Sequence, residues 1–274
     1  MAAAAHPFCE VLLLSVAMLA TEVKRNALCQ SAHFGIPAHI HVCVTAAGSV
    51  ILDVRRDKYL GLGREETELL ADAVPGWPAP VWQRSLCSAT SASIKAENAL
   101  CESLVADGVL ERIAACKDAR AVLALKDMRG EWISIGDELE VRGRVTLRHV
   151  VNFLSAYLWV RFSLARRPFS SVVQEVTARK MRAVSDICGF DINRLAAQVD
   201  VFRRLRPFVF AAEGRCLLHA LTLIRFLSHY QLHPEWVVGV ATQPWGAHSW
   251  VQWGNYLLDS NPEKVCGYTP IMMV

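Results

Sequence analysis

The chain lacks several of the features that would assign it quickly. The apolar run near its start, Val11-Leu12-Leu13-Leu14-Ser15-Val16-Ala17-Met18-Leu19-Ala20, falls short of the roughly 20 residues that span a bilayer as a helix. No Lys or Arg precedes it and Glu10 stands at its edge, so the basic n-region of a secretory signal is missing. A helical or poorly ordered extension, from a start codon assigned too early, is the expectation. Charge of one sign is also scarce: 29 Lys and Arg against 26 Asp and Glu leave a formal +3, too little to argue for nucleic acid. The nine cysteines, at 9, 29, 43, 87, 101, 116, 188, 216 and 266, are odd in number and contain no CxxC. That spacing indicates neither a disulfide framework nor a zinc knuckle, and no metal or other cofactor is expected. A soluble chain in a reducing cytoplasm, without a stable membrane anchor, fits these absences.

With 274 residues, 53% of them hydrophobic, the chain can bury one sizeable core or two small ones. The stretch around which the rest is organised is Gly214-Arg215-Cys216-Leu217-Leu218-His219-Ala220. Leu217, Ala220, Leu221, Ile224 and Leu227 recur at helical spacing, and Glu213-Gly214 ahead of them supply a turn. Cys216 then falls on the first turn, where unpaired N–H groups favour a thiolate.

Downstream, Ala247-His248-Ser249-Trp250-Val251-Gln252-Trp253, Gly254-Asn255 and Tyr256-Leu257-Leu258-Asp259 read as a β-hairpin with a two-residue turn. In that register Trp253 faces Tyr256, Trp250 faces Asp259 and His248 faces Asn261. His248, Trp250, Gln252, Leu257 and Asp259 share one face, so Asp259 can hold one imidazole nitrogen while the other meets the cysteine. Asn261 is a competing orienter. Each residue also has a plainer reading: Cys216 as a small apolar filler, His248 as a satisfied strand histidine, Asp259 as a turn residue.

The combination favours a nucleophilic site: Cys at a helix start, then His and Asp on one hairpin face, in that order. Cys, then His on a strand, then Asp after the next strand resembles the transglutaminase-like, papain-related cysteine protease superfamily. Gly-Arg-Cys-Leu, Ala-His-Ser-Trp-Val-Gln and Leu-Leu-Asp resemble more closely the leader peptidases of lasso-peptide biosynthesis, over about residues 145–274. The resemblance implies Cys216 as nucleophile, His248 as general base and Asp259 as orienting acid. It implies as partners a ribosomally made precursor peptide, bound through its leader, and an asparagine-synthetase-like, ATP-dependent lasso cyclase. A papain-type oxyanion hole pairs the nucleophile's own N–H with a second donor, for which Gln198 is a candidate. Two other classes stay open: a transglutaminase-like acyltransferase and a non-catalytic peptide-binding scaffold.

Nearer the start, His39 to Val44, Ser49 to Val54 and Lys58 to Leu62 read as three short strands, followed by helices at Arg64 to Val74 and Ser93 to Ala106. Gly, Val, Leu-Asp, Arg-Arg and Tyr within Gly48 to Tyr59 resemble the winged-helix-like recognition element of ribosomal peptide-modifying systems. In that family a leader adds as a strand to the third strand, which implies contacts at Lys58, Tyr59, Leu60 and Leu62 with the second helix as groove wall. The expected organisation is an α+β chain: an apolar extension over 1–35, the recognition element over 36–113, a linker over 114–144 and the transglutaminase-like domain over 145–274. Leu147 to Leu164 reads as a helix with Val150, Val151, Leu154, Leu158 and Phe162 as core candidates. Ala197, Val201 and Leu205 are spaced to pack under the cysteine helix. The basic groups Arg166-Arg167, Arg179-Lys180-Arg182 and Arg203-Arg204-Arg206 read as solvated faces, or as a surface for an acidic peptide or partner.

Overall fold

The structure, a computed structural model, describes residues 33–80, 82, 91–113, 132–139, 141–184, 191–210 and 215–274. The apolar run Val11 to Ala20, most of the expected linker and the Glu213-Gly214 turn lie outside the described residues.

The chain begins with β1 (His33–Gly35), followed by the antiparallel meander β2 (Ile40–Thr45), β3 (Gly48–Asp53) and β4 (Lys58–Leu62). Thr45 pairs with Gly48 across the first turn. Gly48 has φ +140, and a Cβ there would collide with the Leu62 carbonyl oxygen, so the turn requires glycine. Helices α1 (Arg64–Ala73) and α2 (Ser91–Ala106) come next, and β5 (Glu111–Ile113) returns to pair with β1. All six residues of β3 are buried because its two faces serve two cores. Ile51 joins Phe34, Ile40, Val42, Leu70, Trp77 and Leu104 beneath the helices. Val50 and Leu52 point the other way, a consequence of strand alternation.

The second half contains β6 (Ile133–Ser134), α3 (Ile135–Glu138), α4 (Leu147–Arg166), α5 (Phe169–Val184), α6 (Ile192–Leu205) and α7 (Cys216–Ser228). These are followed by β7 (Glu235–Thr242), β8 (Trp245–Trp253), β9 (Tyr256–Leu257), α8 (Pro262–Val265) and β10 (Thr269–Met273). The sheet runs β10-β7-β8-β9-β6, antiparallel except for the β6–β9 pair. Within the expected linker, β6 therefore completes this sheet. Gly143 is also tied down, donating its N–H to Asp200 and accepting from Arg204. Helix α7 packs on the sheet and α4 packs on α7. Val50, Leu52, Cys43 and Val54 of the first half share one core with Ile271 and Met272 of β10, so the two halves are joined through apolar side chains.

Helix α4 corrects the sequence reading. Its buried face is Phe153, Ala156, Tyr157, Val160 and Ser163. Of the expected core residues Val150 is half-buried, while Val151, Leu154, Leu158 and Phe162 are 56%, 44%, 60% and 55% exposed. Two apolar stripes lie on this one helix, and periodicity alone does not say which faces the core. Beneath α7, Val201 and Leu205 are buried as expected and Ala197 is half-buried, joined by Leu195, Val199 and Phe202. Of the basic groups, Arg166, Arg167, Arg182, Arg204 and Arg206 are exposed, while Arg167 and Arg179 both bind Glu175 and Arg203 donates to the Leu258 carbonyl. Among the described residues no helix is long and apolar enough to cross a membrane.

Candidate active site

Cys216 is the first residue of α7, as its position after Arg215 predicts. The His219 N–H donates to the Arg215 carbonyl at 3.0 Å and closes the first turn. The N–H of Cys216 is therefore one of the unpaired donors at a helix start, where the peptide dipoles favour negative charge. The thiol is half-buried.

His248 lies on β8, the middle strand of the five, directly opposite Gly239 of β7. A Cβ at Gly239 would stand 2.7 Å from the Trp250 ring, so glycine there makes room for Trp250. The His248 imidazole stacks on Trp250 at 6.0 Å and 24°, and Tyr268 lies 5.2 Å from it. Trp250 also donates to Gln252 at 2.8 Å and shares a core with Leu257. His248, Trp250, Gln252 and Leu257 thus occupy one face, as the hairpin register predicts. His248 is 5% exposed. Burial holds its pKa below the ordinary histidine value; Lys264 and His219 push the same way and Asp259 opposes them. Burial therefore favours the neutral ring over the imidazolium.

Beyond Leu257 the expected hairpin register continues only to the Leu258 N–H, which donates to the Val251 carbonyl at 2.9 Å. Trp253 pairs with Tyr256 and Gln252 with Leu257, after which the chain bends through residues 258–260. His248 consequently meets neither Asn261 nor a diagonal carboxylate: its Nε2 lies 3.3 Å from the Ser260 hydroxyl. The Asp259 side chain turns toward α7. One oxygen accepts the Val251 N–H at 2.8 Å and the other lies 3.3 Å from His219 Nδ1. Asp259 remains close enough to His248 to act on it electrostatically. His219 stands one turn from Cys216 on the same helix, and local pattern alone does not single it out. Gln198 on α6 leaves its Oε1 buried without a partner among the described residues.

The strand expected to meet a leader, β4, forms the edge of its sheet, and Lys58, Tyr59 and Leu60 are exposed. Leu62 is half-buried against the core that also contains Leu100, Cys101 and Leu104 of α2. Tyr59 meets Trp245, the first residue of β8, edge to face at 5.6 Å. Partial burial raises the Tyr59 pKa, with Asp57, Cys216 and Cys43 adding to the effect. The exposed strand therefore ends beside the strand that carries His248, within electrostatic range of Cys216.

A cysteine opening a helix that packs on an antiparallel sheet, with a histidine on the sheet's middle strand, is a layout suited to thiol-dependent acyl transfer. Residues 154–273 match the family model described as the Transglutaminase-like superfamily, and this C-terminal part is a transglutaminase-like domain of mixed α and β structure. The match takes in Cys216, His219, His248 and Asp259. No curated protein and no solved structure matches the chain.

Proposed function

We propose that the chain is a leader peptidase of lasso-peptide maturation, a cysteine endopeptidase that captures a precursor through its leader and hydrolyses the leader–core bond. The observation that carries this reading is the first residue of α7: a cysteine at a helix start inside a transglutaminase-like domain, with a buried histidine on the adjoining sheet. His248 takes the proton of Cys216, and the sulfur forms a bond to the scissile carbonyl carbon. The carbon–nitrogen bond then breaks as the imidazolium protonates the leaving amine. His248 next removes a proton from water, whose oxygen displaces the thiolate and frees the leader's new carboxylate. Asp259 supports the imidazolium, and Ser260 fixes the ring in plane.

In this reading the leader adds as a strand to β4, main-chain hydrogen bonds supplying affinity and alternate side chains selectivity. The exposed edge strand β4, whose Leu62 packs on the core that α2 also lines, supports a winged-helix-like recognition role for the first half. The freed core amine would pass to an asparagine-synthetase-like, ATP-dependent cyclase, to which ATP belongs.

Because the domain is transglutaminase-like, an amine rather than water could resolve the same acyl-enzyme. Incubating precursor peptide with the chain and the cyclase in oxygen-18 water separates the two. The expected result is a leader fragment carrying one heavy oxygen at its new C-terminus; a leader amide formed with an added amine contradicts the peptidase reading.

A further inference from the structure

The acid expected to serve His248 is held by a different histidine. Asp259 is almost wholly enclosed, its side chain 2% exposed, and His219 is 13% exposed. A carboxylate this deeply buried is stable as an anion only while donors satisfy its oxygens. Among the described residues it has two: the Val251 N–H at 2.8 Å on one oxygen and His219 Nδ1 at 3.3 Å on the other. An ionised carboxylate only accepts, so Nδ1 carries the hydrogen in this contact. Nε2 of the same ring is buried without a partner among the described residues. With the proton on Nδ1, that nitrogen is a bare lone pair rather than an orphaned donor. Phe202 and Phe210 pack edge-on against the ring at 5.3 and 5.2 Å and fix its plane.

On this basis, and resting on the peptidase reading above, we propose that His219 is a positioning residue for the thiol chemistry. Its Nδ1–H holds the Asp259 carboxylate turned so that it supports His248, and through His248 it acts on Cys216. Among the described residues the ionisable groups tied to it are Asp259 beyond β9, His248 on β8 and Cys216 one turn earlier on α7. Lys264 of α8 acts on His248, and Arg203 of α6 caps the Leu258 carbonyl beside Asp259. His219 and Asp259 lie 40 residues apart in sequence, so the contact ties the cysteine helix directly to the bend after the histidine strand.

The test reads the thiol and needs no substrate. The full-length protein is alkylated with iodoacetamide over a range of pH, and the Cys216 peptide is quantified by mass spectrometry. Wild type is compared with His219→Leu, His219→Gln, Asp259→Asn, the double variant His219→Leu/Asp259→Asn, and His248→Ala. His219→Leu should raise the pH of half-maximal reaction by roughly one unit, about tenfold in thiolate at fixed pH. His219→Gln, which retains an N–H donor, should restore most of it. The double variant should shift no further than Asp259→Asn alone where His219 works through the carboxylate rather than through its direct push on His248. An unchanged profile in His219→Leu, a shift to lower pH, or an additive shift in the double variant would overturn the proposal. If His248→Ala also leaves the profile unmoved, the base assignment itself fails and takes this one with it. If His248→Ala moves it and His219→Leu does not, only the role of His219 is lost.

Discussion

The two sheets of this chain are built to opposite ends. In the C-terminal sheet β7 and β8 are buried along most of their length, with Trp236, Val237, Trp250 and Val251 fully enclosed. Hydrogen bonds from Trp236 to Ser249 and from Trp250 to Gln252 lock its aromatic rings. In the N-terminal sheet β2 and β3 are equally buried, yet β4 is exposed at four of its five residues. The difference teaches where precision is required. A proton-transfer group must be held to a fraction of an ångström by packing, whereas a strand that receives another strand needs an open edge and little else.

The largest effect that would break this contrast is on stability. Trp236→Ala removes a fully buried ring from the C-terminal core and should cost about 3–5 kcal/mol, measured by urea unfolding. Leu60→Asp, on the open edge and 41% exposed, should leave the unfolding midpoint nearly unchanged. It should weaken leader-peptide binding about tenfold, close to 1.4 kcal/mol, by fluorescence titration. A Leu60 variant that unfolds the chain, or a Trp236 variant that does not, would erase the distinction between the two sheets.

Acid should also act more on the second half of the chain. Burial lowers the pKa of His229, His233 and His248 there, and of His39 in the first half, from 6.5. A folded value below the unfolded one means that the unfolded chain binds more protons as pH falls. The stability from these groups is complete above about pH 6.5 and is lost as pH drops through their folded values. Thermal unfolding should therefore shift to lower temperature on acidification below that point. His229→Gln with His233→Gln should flatten the profile more than His39→Gln. The smallest effect is expected on α4: Leu158→Glu, at a residue 60% exposed, should change stability by less than about 0.5 kcal/mol.

What could be read from the sequence divides along physical lines. The hairpin with its Gly254-Asn255 turn, the face shared by His248 and Trp250, and the start of α7 at Cys216 follow from local pattern. Strand alternation, turn chemistry and helical period are properties of neighbouring residues. The exposure of Leu154 and Leu158 was not legible, because either apolar stripe of α4 satisfies the helical period. The partner of Asp259 was not legible either: the strand register ends at the Leu258 N–H, and the bend that turns the carboxylate to His219 depends on packing against α7. His219 could have been singled out only from its place one turn after Cys216, and nothing local pairs it with Asp259. β6 was hidden in the same way, since a two-residue strand carries no period of its own.

The most direct test of the central claim is mass spectrometry of precursor peptide incubated, with and without the partner cyclase, with wild type and with Cys216→Ala. Because the acyl-enzyme cannot form without the thiolate, the substitution should reduce leader removal by at least about a thousandfold while leaving the fold intact. Leader lost to wild type alone is the result this account predicts. Equal loss with Cys216→Ala would contradict it, and leader binding without loss by either protein, cyclase included, would make the chain a scaffold.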